Sequence, residues 1–509
     1  MNAGILLVLD GWGSAPPGPS NAIATARTPA LDHLLATSMV RFLDASGTAV
    51  GLPERTVGNS EIGHLVIGAG RPLEYDSLLV EKEAKAGRLR AHPLLAATCK
   101  DLAASGGSLH LIGLVSDGRI HADIAHFQDL LNAAADAGLR RVLVHAITDG
   151  RDVPNGTAAG YLDELAGMIA AAGIGEVASL IGRNYAMDKS GAAELTRQAC
   201  DLMIDASAGR RFATVAHVLP AYAGDDGSLP ATAIAGTAGP VADGDAILFV
   251  NFRSDRTAPL ADMIASRLAE TRRSAVTLLS LAEYDTSHPV AALVRRADAS
   301  GGLSDALGGA AIKSVRIAER EKFEHVTFFI NGRGSAPRPL DEHICVTGDN
   351  LPDYVRVPEM NVADVARRVA EAARRQDAGL VLANLANIDV VGHTGDYAAT
   401  VSATEAVDAA VAQVAAAAIQ TGRWLMIVGD HGNGEQMTKP DACGADRPYG
   451  GHTTNPVPFV IAGTAARTGT TPPGIAGACT TGTLADVAPT VLTLLGCQPA
   501  PAMTGRSLC

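Results

Sequence analysis

The chain has 509 residues and a net charge of −13; 47% of it is apolar, yet aromatics supply only 4%. That length exceeds one ordinary core and predicts two domains built from Ala, Val, Leu and Ile, the material of α/β layers. The acidic balance argues against a nucleic-acid or anionic-membrane surface, while leaving room for a local basic pocket that holds an anion.

In chain order, GILLVLD (Gly4–Asp10) reads as a buried strand stopped by a carboxylate. A Gly/Pro-rich loop and a helix over Thr28–Ala36 follow it. No basic leader precedes that run, and no segment reaches the roughly 18 apolar residues of a membrane span. The seven cysteines are scattered without a C-x-x-C pair, which reads as free thiols. A cytoplasmic protein is expected. Runs at Leu109–Leu114, Val142–Ile147, Ala246–Asn251 and Val276–Leu281 read as strands, with helices at Ile124–Ala137 and Gly160–Ala172. That alternation is the mark of βαβ units.

After Asp298 the chain is Gly-rich, then the alternation resumes. A helix over Met360–Arg375 precedes a strand-like run ending at Asp389, and an Ala-rich helix over Ala403–Ala418 precedes one ending at Asp430. If Asp10 and Asp430 share a site, residues 1–75 and 297–509 form one discontinuous domain, with 76–296 inserted. The expected fold class is α/β, with two doubly wound domains.

Strands that stop at carboxylates place them at the carboxyl edge of a parallel sheet, where such folds keep their sites. Asp389 and His393 stand four apart, on one helical turn; Asp430 and His431 are adjacent; His452 sits in a Gly-rich loop before another strand. With Asp10 these make three carboxylates and three imidazoles without a thiolate, a set suited to Mn²⁺ or Zn²⁺, with Co²⁺ a third choice. Six donors exceed what one cation needs with a position left open, so two metals are expected.

GNSEIGH (Gly58–His64) puts Ser60 in a Gly-flanked turn that opens a helix, where backbone N–H groups cradle an anion. Beside a divalent cation that hydroxyl becomes a nucleophile. The middle segment carries SDGRIH with His121, TDGRD with Arg151 and Asp152, GRNYAMDK with Arg183 and Lys189, and NFRSDR with Arg253 and Arg256; EREKF adds Lys322. These cations are expected to converge on a phosphate or carboxylate. Asp152, standing among arginines, is expected to have a depressed pKa.

At LVLDGWG, GNSEIGHLVIGAGR, HAITDGRD, GRNYAMD, NFRSDR, DVVGHTG, GDHGN and GHTTNPVPF the chain resembles the cofactor-independent (2,3-bisphosphoglycerate-independent) phosphoglycerate mutases of the alkaline-phosphatase superfamily. The resemblance implies an alkaline-phosphatase-like metal domain with an inserted substrate-binding domain. It implies two manganese ions and no bisphosphoglycerate, one ion on Asp389, His393 and His452 and the other on Asp10, Ser60, Asp430 and His431. Ser60 would carry the phosphoryl group between the two hydroxyls of glycerate. His121, Arg151, Asp152, Arg183, Arg253, Arg256 and Lys322 would hold that small anionic substrate, with Asp152 as acid/base. A monomer without nucleic-acid or membrane partners is expected. The chain departs from the family pattern at Arg119 and Arg333, where glycine is usual, and at Asn184, Lys189 and Ser254. Those departures leave open a relative with the same machinery acting on another phosphate or phosphonate.

Overall fold

The computed structural model describes residues 2–188, 192–237, 239–336, 338–348, 353–440, 446–463 and 480–509. The chain divides into two compact units, Met1–Glu74 with Ala297–Cys509, and Tyr75–Arg296. Each is a mixed α/β unit built on an eight-stranded, largely parallel sheet.

In the first unit the strand order is Asp341–Val346, Ser314–Glu319, Leu380–Leu385, Gly4–Leu9, Trp424–Gly429, Val457–Ala462, Met39–Asp44 and Gly482–Thr483. The first five run parallel, and Val457–Ala462 is antiparallel to both of its long neighbours. Gly4–Leu9 is apolar throughout because it is central and covered on both sides. Its Ile5, Leu7 and Leu9 pack with Val365 and Val369 of the helix Val362–Ala373 and with Val407, Val411 and Val414 of the helix Tyr397–Thr421. The alternate residues Leu6 and Val8 are equally buried. The Ala-rich helix is longer than expected from sequence: Asp396 caps it by accepting from Ala399 N (2.8 Å), and Gly422 ends it in left-handed conformation.

In the second unit the order is Ala291–Val294, Thr277–Ala282, Ala246–Phe249, Leu109–Leu114, Val142–Thr148, Glu176–Gly182, Thr232–Ile234 and Arg210–Phe212. Only the pairing of Glu176–Gly182 with Thr232–Ile234 is antiparallel. Two separate apolar clusters sandwich this sheet. Leu109, Leu111, Val142 and Val144 join one with Phe127 and Leu130; Ile112, Leu114, Ile147 and Phe249 join the other with Met203 and Ile264. That is the double winding expected of βαβ repeats. No described helix is long and apolar enough to cross a membrane.

Candidate metal centre and anion pocket

The register of the first sheet decides which residues meet. Leu9 stands level with Leu385 on one side and Gly429 on the other, so three parallel strands finish at one edge. Asp10 follows the first strand directly, and Asp430 and His431 follow Trp424–Gly429. Asp389 differs from expectation: its strand stops at Leu385, and the residue rides on a short helix, Asn387–Gly392, that turns it back over the sheet edge. His393 caps that helix, with Nε2 3.4 Å from Asp389 Oδ1. Ser60 is the first residue of the helix Ser60–Ala69, which Asn59 caps by accepting from Ile62 N. The helix lies so close over Asp430 that a Cβ at Gly63 would come within 2.6 Å of the Asp430 carbonyl oxygen.

Ser60 Oγ donates to Asp10 Oδ1 at 3.0 Å and lies 2.9 Å from His431 Nε2. Lys322, grouped in the sequence with the arginines, makes its contacts here instead. Its buried ammonium donates to Ser60 Oγ (2.6 Å), Asp10 Oδ1 (2.8 Å) and Asp389 Oδ2 (2.7 Å). Burial draws the Lys322 pKa down, but Asp10, Asp389 and Asp430 outweigh it and hold the ammonium charged. Burial raises Asp10, and Lys322 and His431 then pull it well below the usual carboxylate range.

The imidazoles are oriented from behind. His393 Nδ1 donates to Gly450 O (2.7 Å) and His452 Nδ1 to Gly58 O (2.8 Å), since a carbonyl can only accept. In the neutral form of each ring Nε2 is therefore a lone pair, and the two stand 3.1 Å apart, with His452 Nε2 3.2 Å from Asp389 Oδ1. Two acceptors and a carboxylate at that spacing repel unless a cation sits on them, and the backbone carbonyls hold the rings as ligating histidines are held. Near Ser60, buried Asp430 Oδ2 makes no hydrogen bond although His64 Nδ1 and His431 Nε2 lie 3.3 and 3.5 Å away. The donor set thus fits two divalent cations, and the groups Asp389–His393–His452, Asp10–Asp389–His431 and Asp10–His64–Asp430 each bring ligand atoms close enough for one. His64, part of the GNSEIGH motif but given no role from sequence, stands one helical turn beyond Ser60. Asn384 was also missed; its Nδ2 donates to Asp10 Oδ2 at 2.7 Å from within a strand.

The second unit brings its own cluster together. Strands Ala246–Phe249, Leu109–Leu114, Val142–Thr148 and Glu176–Gly182 are consecutive neighbours, and their carboxyl ends lead into NFRSDR, SDGRIH, TDGRD and GRNYAMD. The loops enclose a cavity of about 460 Å³ lined by His121, Arg151, Asp152, Arg183, Arg253 and Arg256 among others. Lys189 lies outside the described residues. Arg183 Nη1 bridges Asp149 Oδ1 (2.5 Å) and Asp152 Oδ1 (2.7 Å). Asp149, overlooked in the sequence although TDGRD contains it, also accepts from Ser116 Oγ, Arg151 N and Asp152 N and so fixes the loop.

The expected depression of Asp152 is wrong in sign. Burial pushes its carboxyl above the ordinary range, and the nearby Asp149 charge adds to this; Arg183 opposes without reversing it. His121 is driven down to about 4 by burial, opposed by Asp255 and aided by Arg253, Arg183 and Arg256, so it is neutral near pH 7. The cavity therefore offers arginine forks, a neutral imidazole and a carboxyl poised to exchange a proton.

Residues 2–499 match the family model of the metalloenzyme superfamily. A 2,3-bisphosphoglycerate-independent phosphoglycerate mutase of Streptomyces coelicolor is 55% identical over 507 residues, covering 99% of this chain and 98% of that protein. One from Synechococcus sp. is 39% identical over 513 residues, covering 99% and 95%. Among solved structures, Leishmania mexicana phosphoglycerate mutase at low cobalt concentration superposes with a TM-score of 0.76 at 29% identity, covering 100% of this chain and 98% of that one. With the bare imidazole pair and the carboxylates gathered at one sheet edge, these similarities make the chain a member of the 2,3-bisphosphoglycerate-independent phosphoglycerate mutase family.

Proposed function

We propose that the protein interconverts 3-phosphoglycerate and 2-phosphoglycerate, a step of glycolysis and gluconeogenesis, through a phosphoserine at Ser60 and with two manganese ions. The observation that carries this reading is the setting of Ser60 Oγ, within 3.0 Å of Lys322 Nζ, His431 Nε2 and Asp10 Oδ1 at once. One cation would sit on Asp389, His393 and His452, and the other on Asp10, Ser60, Asp430 and His431. When bound, such cations supply Lewis acidity that lowers the pKa of a hydroxyl and neutralises phosphate oxygens. Zinc or cobalt would suit the same donors.

The chain's own groups account for the rest. The Ser60 hydroxyl points its proton at Asp10, leaving its oxygen open to a phosphoryl group, and the Lys322 ammonium stabilises negative charge growing on that oxygen. In the second unit the forks of Arg151, Arg183, Arg253 and Arg256 hold carboxylate and phosphate, and His121 contributes an uncharged hydrogen bond. Asp152, with its raised pKa, gives a proton to the glycerate oxygen that the phosphoryl group leaves and takes one from the other hydroxyl as that oxygen attacks in the return step. No observation favours a different phosphate or phosphonate substrate.

The same reading has the protein act as a monomer in the cytoplasm, without bisphosphoglycerate, nucleic acid or a membrane. In support, every proposed metal donor comes from one unit of one chain. The cysteines among the described residues (Cys99, Cys200, Cys345, Cys497 and Cys509) are free, as a reducing compartment allows. An enolase-coupled assay with manganese and no added bisphosphoglycerate tests the activity. Turnover of 3-phosphoglycerate is expected, falling by about 10³-fold or more in Ser60→Ala. Release of inorganic phosphate and glycerate instead, or full activity in Ser60→Ala, would refute it.

A further inference from the structure

Lys322 and Asp389 meet at 2.7 Å, yet they ride on separate elements: a tight turn, Arg320–Lys322, after the strand Ser314–Glu319, and the helix Asn387–Gly392. A flexible lysine stem needs its backbone held if the ammonium is to stay on Ser60 Oγ. The segment between Pro358 and Asn361 touches both elements through buried polar groups. Glu319, wholly buried at the end of its strand, accepts through Oε2 from Asn361 N and Asn361 Nδ2, both at 3.0 Å. Asn387, also wholly buried, donates through Nδ2 to Pro358 O (2.9 Å) and Glu359 O (2.8 Å).

We infer that Glu319 is a positioning residue for Lys322, clamping the Lys322 turn to the Asp389 helix through Asn361, the Pro358–Asn361 segment and Asn387. The inference rests on the proposed role of Lys322 at the transferring phosphoryl group.

A carboxylate in this place is costly. No cation pairs with it among the described residues, its Oε1 has no hydrogen-bond partner, and the charged groups that bear on it are Glu321 of its own turn and Asp364 of the helix Val362–Ala373, both acidic. Burial, helped by those two charges and opposed by Asn361, pushes Glu319 up to about 7. The gain is geometric. One oxygen receives a backbone N–H and a side-chain N–H from the residue that opens the helix Val362–Ala373, where the helix dipole favours an acceptor. An apolar side chain would relieve the desolvation and release the segment.

The test uses the manganese-loaded, full-length protein with Glu319→Ala, Asn361→Ala and Glu319→Gln. The two alanine variants should lose about 10- to 100-fold in kcat, the scale of a misplacement near 1 Å, with KM held within about twofold. Glu319→Gln keeps an acceptor for Asn361 and should restore kcat to within about threefold of the parent. Its thermal midpoint should also match the parent at pH 4 and exceed it at pH 8. The folded state favours protonated Glu319, so that contribution is fully present below the ordinary value of 4.5 and is lost as pH rises from there to about 7, whereas glutamine has nothing to lose. Unchanged kcat in both alanine variants would overturn the inference, as would equal losses in all three accompanied by a raised KM. If Ser60→Ala is inactive while Glu319→Ala is unaffected, only the positioning role fails; if Ser60→Ala is fully active, the phosphoserine reading fails first.

Discussion

Arg119 and Arg333 hold left-handed backbone, with φ of 56° and 63°, at two places where the resembled family carries glycine. An L-residue pays about 1–2 kcal/mol for that conformation and glycine almost nothing. Arg119 recovers part of this through its exposed ion pair with Asp123 at 2.8 Å, a contact of a few tenths of a kcal/mol. Arg119→Gly should therefore raise the unfolding free energy by about 0.5–1 kcal/mol in urea titration, with the activity intact. That departure from the family pattern thus reads as backbone strain at a turn whose side chain points to Asp123. The proposed metal donors were legible because each is a chemically distinctive residue at the end of an apolar run or in a Gly-rich loop. The pKa of Asp152 was not. Sequence displays the neighbouring arginines, and also Asp149 in the same TDGRD loop, but the burial that outweighs the arginines exists only in the fold.

At the scale of elements, nucleophile placement depends on how closely one helix approaches one strand end. Gly63 allows Ser60–Ala69 to lie against Asp430, and Gly58 similarly accommodates the Ala45 carbonyl at 2.1 Å from where a Cβ would be. Gly63→Ala adds a methyl that backbone atoms cannot yield to, so the helix must shift. The expected result is at least a tenfold fall in kcat with far-ultraviolet circular dichroism preserved, since shifts near 1 Å carry about 10²-fold consequences for transfer. Strand and helix identities were readable because buried parallel strands are continuous apolar runs and the helices between them keep their own period. The break after Leu385 was harder to see. ANID continues an apolar run, and only the backbone bonds from Val390 N to Ala386 O and from His393 N to Asp389 O show that the chain has already turned into a helix before Asp389. The Lys322 turn was similarly hidden, because nothing in EREKF reveals that the lysine meets Asp10 at the end of another strand and Asp389 on the helix Asn387–Gly392.

For the molecule as a whole, the centre gathers Asp10, Asp389 and Asp430 in a buried space with Lys322 as the lysine among them. Divalent cations would relieve the mutual repulsion of these groups in the folded state and find no comparable site in the unfolded chain. Chelation should lower the thermal midpoint of the first unit, and free metal at about 1,000 times its Kd should add roughly 4 kcal/mol of stability, read by calorimetry with and without manganese. Unit membership has another consequence. The strand Gly4–Leu9 is central in its sheet, but both neighbours, Leu380–Leu385 and Trp424–Gly429, are encoded more than two-thirds of the chain later. At about 5–20 residues per second of synthesis, the wait is on the order of 20–80 s. During that time Tyr75–Arg296 has all its own strands and can fold on the ribosome, while an unpaired hexapeptide of uninterrupted hydrophobicity stays available to chaperones. Heterologous production of the enzyme should accordingly be limited by how well the emerging N-terminus is shielded rather than by its final stability.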